Sequence, residues 1–334
     1  MNKLLDVPVI DLSPLRGGDA AARAALAREV DRACRDIGFL VIAGHGVDPA
    51  LIERTRAVSR AFFALPLDEK RRVARPAPHV TRGYIGLHEE SLARSRDPQA
   101  YGSDLNESLM IGPVDPPPPA VAESGRAHFA PNLWPERPAE LRAVWSDYYR
   151  AMGALAADLM RLFALALDLP ETFFDARIDH HISRLRVRLY PTPATPPEPG
   201  QIRAGAHSDY GSLTLLATED KPGGLQVCNA EGRWRDVPIV PGTFIVNLGE
   251  LMARWTNHRW VSTLHRVVNP PIGALASGID TSRLSLVFFH NPNHDAVIEC
   301  LDRSAPAIYP PTTSGEHLRR QFVATQNPAA AAAP

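Results

Sequence analysis

His207-Ser208-Asp209 sets an imidazole and a carboxylate two residues apart, at the head of the run Asp209-Tyr210-Gly211-Ser212-Leu213-Thr214-Leu215-Leu216. On an extended strand, residues i and i+2 share a face, so both side chains would point the same way. His265 follows 265 − 209 = 56 residues later, inside Ser262-Thr263-Leu264-His265-Arg266-Val267-Val268, a second strand candidate. Two imidazoles and one carboxylate from two strands can occupy one triangular face of an octahedral metal and leave the opposite face open. Non-haem Fe(II) needs that opening for dioxygen and a second ligand. A structural zinc site would take four protein donors, usually with cysteine, and no cysteine lies near this group. His-x-Asp occurs once among the 12 histidines. The comparable His88-Glu89-Glu90 sits in an irregular stretch and reads as a solvated loop.

Arg283-Leu284-Ser285 is the one Arg-x-Ser of the chain, 283 − 265 = 18 residues after His265 on the next strand signal. Arginine offers a two-pronged donor to a carboxylate and serine adds a hydroxyl. An arginine inside a small barrel is costly unless an anion pairs with it. Arg184-Leu185-Arg186-Val187-Arg188-Leu189-Tyr190 alternates strictly. Two arrangements stay open there. Either the apolar face packs inward and the arginines meet solvent, or Tyr190 and its neighbouring arginines face a cavity, which implies an anionic cosubstrate or acidic substrate. Lysine occurs only at Lys3, Lys70 and Lys221, so arginine usage is skewed throughout and a single arginine carries little weight.

The elements that must hold these residues follow from periodicity. Val7-Pro8-Val9-Ile10 reads as an edge strand with proline at its start. Ala21 to Ile37 carries a helical stripe at Leu26, Val30, Ala33/Cys34 and Ile37. Gly38 to Ile42 reads as a buried strand, and Asp48-Pro49 opens a helix as N-cap and N1, running to about Ala64. Residues 74–135 look irregular, with a four-proline run at Pro116 to Pro119. Pro138 starts the longest helix, striped by Leu141, Val144/Trp145, Tyr148, Met152, Leu155, Leu159 and Leu162/Phe163, ending before Pro170. Short strands then follow: Arg184–Tyr190, Ala204–Thr218, Gly224–Cys228, Arg233–Val237, Gly242–Leu248, Leu264–Val268, Leu284–His290 and Ala296–Cys300. Helices first and strands after predict an α+β fold, a barrel or sandwich with helical support on one side. Leu248, Phe289 and His290 are candidate cavity residues by position.

Composition narrows the function classes. The 334 residues hold 36 Lys+Arg and 37 Asp+Glu, a net charge of −1, which excludes a strongly basic nucleic-acid binder or a polybasic membrane protein. Apolar residues make up 45%, enough for a folded core. Three separated cysteines, Cys34, Cys228 and Cys300, give no disulfide framework and suit a reducing cytosol, so a cytoplasmic location is expected. No run of about 18 apolar residues is present, so no membrane span is expected. The first residues, with Asp6, Pro8 and Asp11, do not read as a signal peptide.

With these motifs in view, the chain resembles the isopenicillin N synthase-like family of iron- and 2-oxoglutarate-dependent oxygenases over about Val7 to Phe322. The resemblance rests on Val9-Ile10-Asp11-Leu12, Gly38 through Gly46, Arg82-Gly83-Tyr84, Asn106-Glu107-Ser108, Ala206 through Gly211, Asn247 through Leu251, Ser262 through Val267 and Arg283-Leu284-Ser285. It implies a double-stranded β-helix (jelly-roll) core at 181–322, an N-terminal cap of helices and strands at 1–135, a supporting helix at 136–180 and a disordered tail at 323–334. It implies His207, Asp209 and His265 as ligands of Fe(II). It implies Arg283, Ser285 and Tyr190 on the distal carboxylate of 2-oxoglutarate, and Arg186 aligns with an arginine that contacts the cosubstrate's other end in some bacterial relatives. The family often carries Asn two residues before this tyrosine; Arg188 stands there instead, and its role stays open. The implied reaction oxidises a C–H bond of a small, possibly anionic molecule with dioxygen, releasing succinate and carbon dioxide; hydroxylation leads, with desaturation or cyclisation as variants. Rival readings are an oxidase of the isopenicillin N synthase type or an ethylene-forming type on the same iron site, a zinc hydrolase with the same three ligands, and a non-catalytic anion-binding barrel. Substrate contacts are expected from loops such as 80–108 and 191–203.

Overall fold

The computed structural model describes residues 7–77, 80–95, 102–193, 195–302 and 305–326. The strands are β1 (Val9–Asp11), β2 (Phe39–Ala43), β3 (Gly83–Ile85), β4 (Glu107–Ile111), β5 (Arg184–Tyr190), β6 (Ala204–His207), β7 (Leu213–Thr218), β8 (Gly224–Cys228), β9 (Trp234–Asp236), β10 (Phe244–Leu248), β11 (His265–Val268), β12 (Arg283–His290), β13 (Val297–Ile298) and β14 (Thr312–Thr313). The helices are α1 (Pro14–Gly17), α2 (Ala20–Asp36), α3 (Pro49–Phe63), α4 (Leu67–Arg71), α5 (Pro119–Ser124), α6 (Leu141–Ala166), α7 (Asp175–Ile178), α8 (Glu250–Trp255), α9 (Ile272–Ala276) and α10 (Ser314–Gln326). Two sheets carry the architecture. The larger runs β1-β2-β10-β7-β12-β5-β4-β3 and the smaller β6-β11-β8-β9. This is the jelly-roll arrangement in an α+β frame.

Local chemistry explains the helices that back the large sheet. Asp19 caps α2 by accepting from the Ala22 amide at 2.8 Å, and Asp48 caps α3 through the Ala50 amide at 2.8 Å with Pro49 in the first turn. The α6 stripe of Leu141, Trp145, Tyr148, Met152, Leu155, Leu159 and Phe163 is fully or almost fully buried. It joins one core with Leu185 and Val187 of β5, Leu284, Leu286 and Phe288 of β12, and Leu213 and Leu215 of β7. Burying each such side chain contributes about 1.5–3 kcal/mol. One parity of these strands is thereby committed to the helices, and the other faces the smaller sheet.

Several expectations change. The 74–135 stretch is not wholly irregular: β3 and β4 extend the large sheet, with Ser108 opposite Arg188 and Met110 opposite Arg186. Ala204–Thr218 is two strands in different sheets, not one. The expected tail at 323–334 starts too early, because α10 continues to Gln326; residues 327–334, like 96–101 of the 80–108 loop, lie outside the described residues. Helix α10 is an element that periodicity does not predict. Among the described residues no helix is long and apolar enough to cross a membrane.

Candidate active site

The β5 alternation resolves in favour of the cavity. Leu185 and Val187 pack into the helical core, while Arg184, Arg186 and Arg188 lie on the opposite face, 7%, 4% and 5% exposed. Register aligns this inner face in transverse rows. Thr218, Ser285, Arg188 and Ser108 form one row, and Asn247, Thr214, Phe289 and Arg184 another. Arg283 sits opposite Tyr190. Leu248 and His290 have the other parity: Leu248 joins the helical core, and His290 bonds Ser212. Of the three cavity residues expected by position, only Phe289 lines the cavity.

His207, Asp209 and His265 converge, each offering one donor atom within 4.8 Å of the others. The route differs from strand parity. β6 ends at His207, and Asp209 lies on the crossover between the two sheets. That crossover is clamped from β10–α8: the Glu250 amide donates to Asp209 O at 2.8 Å and the Gly249 amide to Ser212 O at 3.1 Å. Gly249 is required here, because a Cβ would stand 2.2 Å from Gly211 O. His265 faces His207 across the β11–β6 pair.

The donor set is pre-oriented. His207 Nδ1 donates to Gly205 O at 2.7 Å and His265 Nδ1 to Thr263 O at 3.1 Å, which leaves both Nε2 lone pairs free. These Nε2 atoms lie 3.9 and 3.7 Å from Asp209 Oδ1. Asp209 Oδ2 is taken by Thr214 Oγ1 at 2.5 Å and Asn247 Nδ2 at 2.7 Å. Burial alone would raise the Asp209 pKa, but the two imidazoles, Asn247 and Thr214 hold it below the usual carboxylate range. Burial, with His265 beside it, pushes the His207 pKa below the ordinary imidazole value, which favours the neutral ring that a metal ligand needs. Among the described residues no fourth His, Cys, Asp or Glu joins the group. Three N/O donors, all freed toward one point, fit a ferrous ion with open positions and do not make a closed structural site.

A second pole lies beside Tyr190. Arg283 is buried, donating Nε to Glu219 O at 3.1 Å and Nη1 to Gly223 O at 3.4 Å, while its buried Nη2 has no partner. Ser285 Oγ shares a 2.9 Å hydrogen bond with Thr218 Oγ1. Arg203 lies over the Tyr190 ring at 5.9 Å, and its own pKa is lowered to about 10 by burial and by Arg283. Two buried cations with an unused N–H fit a carboxylate. A Cβ on Gly224 would come within 3.2 Å of Arg283 Nη1, so glycine leaves that guanidinium room.

Family comparisons agree with this geometry. A family model described as the N-terminal region of non-haem dioxygenases in morphine synthesis matches residues 7–137, and the 2OG-Fe(II) oxygenase superfamily model matches 180–292. A 2-oxoglutarate-Fe(II) type oxidoreductase of Aspergillus fumigatus is 36% identical over 324 residues, 95% of this chain and 92% of its own. The chain belongs to the isopenicillin N synthase-like 2OG-Fe(II) oxygenases. Validamycin A dioxygenase of Streptomyces hygroscopicus subsp. limoneus is 34% identical, covering 95% of this chain and 86% of that protein. The crystal structure of a full-length Neurospora crassa protein in complex with alpha-KG superposes with TM-score 0.83 at 30% identity, covering 97% of this chain and 98% of that one. The oxygenase therefore uses Fe(II), 2-oxoglutarate and dioxygen to oxidise a small molecule.

Arg186 stands apart from the other arginines. Its Nε and Nη2 donate to Ser108 Oγ at 3.0 and 2.8 Å, and its Nη1 and Nη2 to Glu90 at 3.3 and 2.6 Å. The guanidinium expected at one end of the cosubstrate is thus held by protein partners. Burial pushes the Glu90 pKa up, but Arg186, Arg188 and Arg75 bring it down to about 2. Sequence reasoning misses Glu90, which reads as loop, and the Asp209 partners Asn247 and Thr214; only the quoted Asn247-Leu248-Gly249 motif flags one of them. His88 joins Ser103 at 2.9 Å on the cavity rim.

The cavity in front of Asp209 encloses about 430 Å³, within the range of small-molecule sites. Its walls come from 80–92, the β5 arginines, Phe289, and Leu318 and Phe322 of α10. Among the described residues the 191–203 loop does not line it. Helix α10 is tied to the crossover by His317 Nε2 donating to Tyr210 O at 3.1 Å and by Gln321 donating to Glu250, which also accepts from Ser208.

Proposed function

We propose that His207, Asp209 and His265 hold the iron, that Arg283, Ser285 and Tyr190 hold the distal carboxylate of 2-oxoglutarate, and that the enzyme hydroxylates a C–H bond of a small anionic molecule. The observation that carries this reading is the convergence of three donors beside a buried, partly unpaired arginine pole. When bound, iron and 2-oxoglutarate supply dioxygen activation, with succinate and carbon dioxide as the spent cosubstrate. The chain's own residues do the positioning. Gly205 O and Thr263 O lock the imidazole tautomers, and Asn247 and Thr214 turn Asp209 so that Oδ1 faces the histidines. Arg283 provides charge where water is scarce, which strengthens the pairing. Arg188, two residues from Tyr190 and with a buried Nη1 lacking a partner, lies between the two poles and is placed to meet a cosubstrate carboxylate. Residues 1–135 serve as the cap, 136–180 as the supporting helix and 181–322 as the catalytic core.

An anaerobic titration tests the site. Fe(II) and then 2-oxoglutarate should produce a weak visible charge-transfer band. Asp209→Ala should abolish it, and Arg283→Ala should require at least about tenfold more 2-oxoglutarate. A wild-type band at wild-type concentrations in both variants would remove the assignment. Succinate formed in step with product separates this reading from an oxidase that holds a substrate carboxylate on Arg283.

A further inference from the structure

We infer that Arg184, reinforced by Arg82, anchors the anionic group of the substrate, and that the substrate is an organic acid whose carbon frame lies over Phe289 toward Asp209. The inference rests on the oxygenase reading and assigns the end of the cavity that iron and 2-oxoglutarate leave over.

Arg184 is buried, its side chain lines the cavity, and no acceptor among the described residues takes its hydrogens. Its guanidinium lies against the Phe322 ring, 4.5 Å from Cζ to the ring centroid. Arg82, also buried, is pinned by neutral groups: Nη1 donates to Thr81 O at 2.8 Å and Nη2 to His128 O at 2.8 Å. Burial, with Arg184, His294 and Arg82 adding to it, lowers the His128 pKa to about 4, so that ring supplies no third charge at neutral pH. Burial and Arg82 bring Arg184 down to about 9. Two neighbouring cations with no carboxylate partner among the described residues are costly unless an anion enters. Arg186, on the same face of β5, shows the contrast, because Glu90 already neutralises it.

Sheet register supplies the distance. Thr214, which holds Asp209, Phe289 and Arg184 lie in one row on adjacent strands. Two strand spacings make about 10 Å. A carboxylate on Arg184 would therefore place its chain across the Phe289 ring, with Met110, Leu318 and Phe322 as apolar walls and its far carbon near the metal ligands. Arg184 is a binding residue here, and Arg82 a positioning residue acting through its field.

The test uses the Fe(II)- and 2-oxoglutarate-loaded enzyme without oxygen. The probes are phenylacetate, 3-phenylpropionate, hexanoate and octanoate, each beside its uncharged amide. Binding is read from the thermal unfolding midpoint and from the charge-transfer band. At least one acid should bind while its amide does not. Arg184→Gln should weaken that acid roughly 10- to 100-fold, and Arg184→Lys less, with 2-oxoglutarate affinity kept within about twofold as the control for folding. Amides equal to acids, no acid better than its amide, or an unweakened acid in Arg184→Gln would each overturn the inference. Absence of the 2-oxoglutarate band in the wild type would instead overturn the iron-site reading, so the two failures are distinguishable.

Discussion

Replacing Glu90 by glutamine should destabilise the fold by about 3 kcal/mol at neutral pH, and the structure says why. The carboxylate stands 2.6 Å from Arg186 Nη2, with the arginine side chain 5% and the glutamate side chain 22% exposed. At an effective dielectric of about 20 the attraction is roughly 6 kcal/mol, and desolvating both ions takes back several. The depressed carboxyl pKa turns this balance into a figure. A carboxyl held at about 2 instead of 4.5 favours the folded state by about 3 kcal/mol once ionised in both states. The sign follows from the depressed value: the contribution is complete above about pH 4.5 and is lost as pH falls toward 2. Urea unfolding of wild type and Glu90→Gln at pH 7 should show the full gap, and the gap should narrow below pH 4.5. Arg186→Met combined with Glu90→Gln should cost less than Glu90→Gln alone, because no buried charge is then stranded. A loss under about 1 kcal/mol at pH 7 would refute the argument. So would an Arg186→Met variant of normal stability whose 2-oxoglutarate affinity has collapsed, since that guanidinium would then belong to the cosubstrate.

Asn247→Ala should lower Fe(II) affinity about 10- to 100-fold in anaerobic titration, since it frees Asp209 Oδ2 to rotate; unchanged affinity contradicts the positioning role. Fe(II) at 100 times its dissociation constant should raise unfolding stability by about 2.7 kcal/mol, and a chelator should reverse it. His265→Ala should lose most of that gain, and a full gain in this variant rules out His265 as a ligand. Stability should also fall as pH drops from 6.5 toward 4. Burial holds His317 and His181 neutral with pKa values of about 4, so the unfolded chain takes up protons first over that window. His317→Gln should flatten part of the slope, read from urea midpoints; an identical slope argues against it.

What the sequence discloses and what it hides divide along a physical line. Strand and helix faces are legible because burial imposes a period. The β5 limits Arg184–Tyr190 and the α3 start at Asp48-Pro49 agree between sequence and structure. The period cannot say which side of β5 faces a cavity, since an apolar face packs equally well under helices or opposite a sheet; only the helical core behind Leu185 and Val187 decides it. The meeting of His207, Asp209 and His265 is expected from the wrong geometry. Strand parity predicts it, yet Asp209 sits on a crossover that hydrogen bonds from Gly249 and Glu250 hold in place. Such contacts join residues some 40 apart in the chain and leave no local period. The same holds for Glu90, whose partner Arg186 lies 96 residues away. Helix α10 escapes the sequence although Leu318 and Phe322 stand at helical spacing, because two apolar residues among arginines make a weak stripe. Those two side chains wall the cavity that Arg184 lines, where no acceptor among the described residues takes its hydrogens. The parts hardest to read from sequence are thus Asp209's crossover and the cavity wall that the proposed substrate anchor needs, whereas His207, His265, Arg283 and Ser285 stand on regular strands and announce themselves in motif spacing.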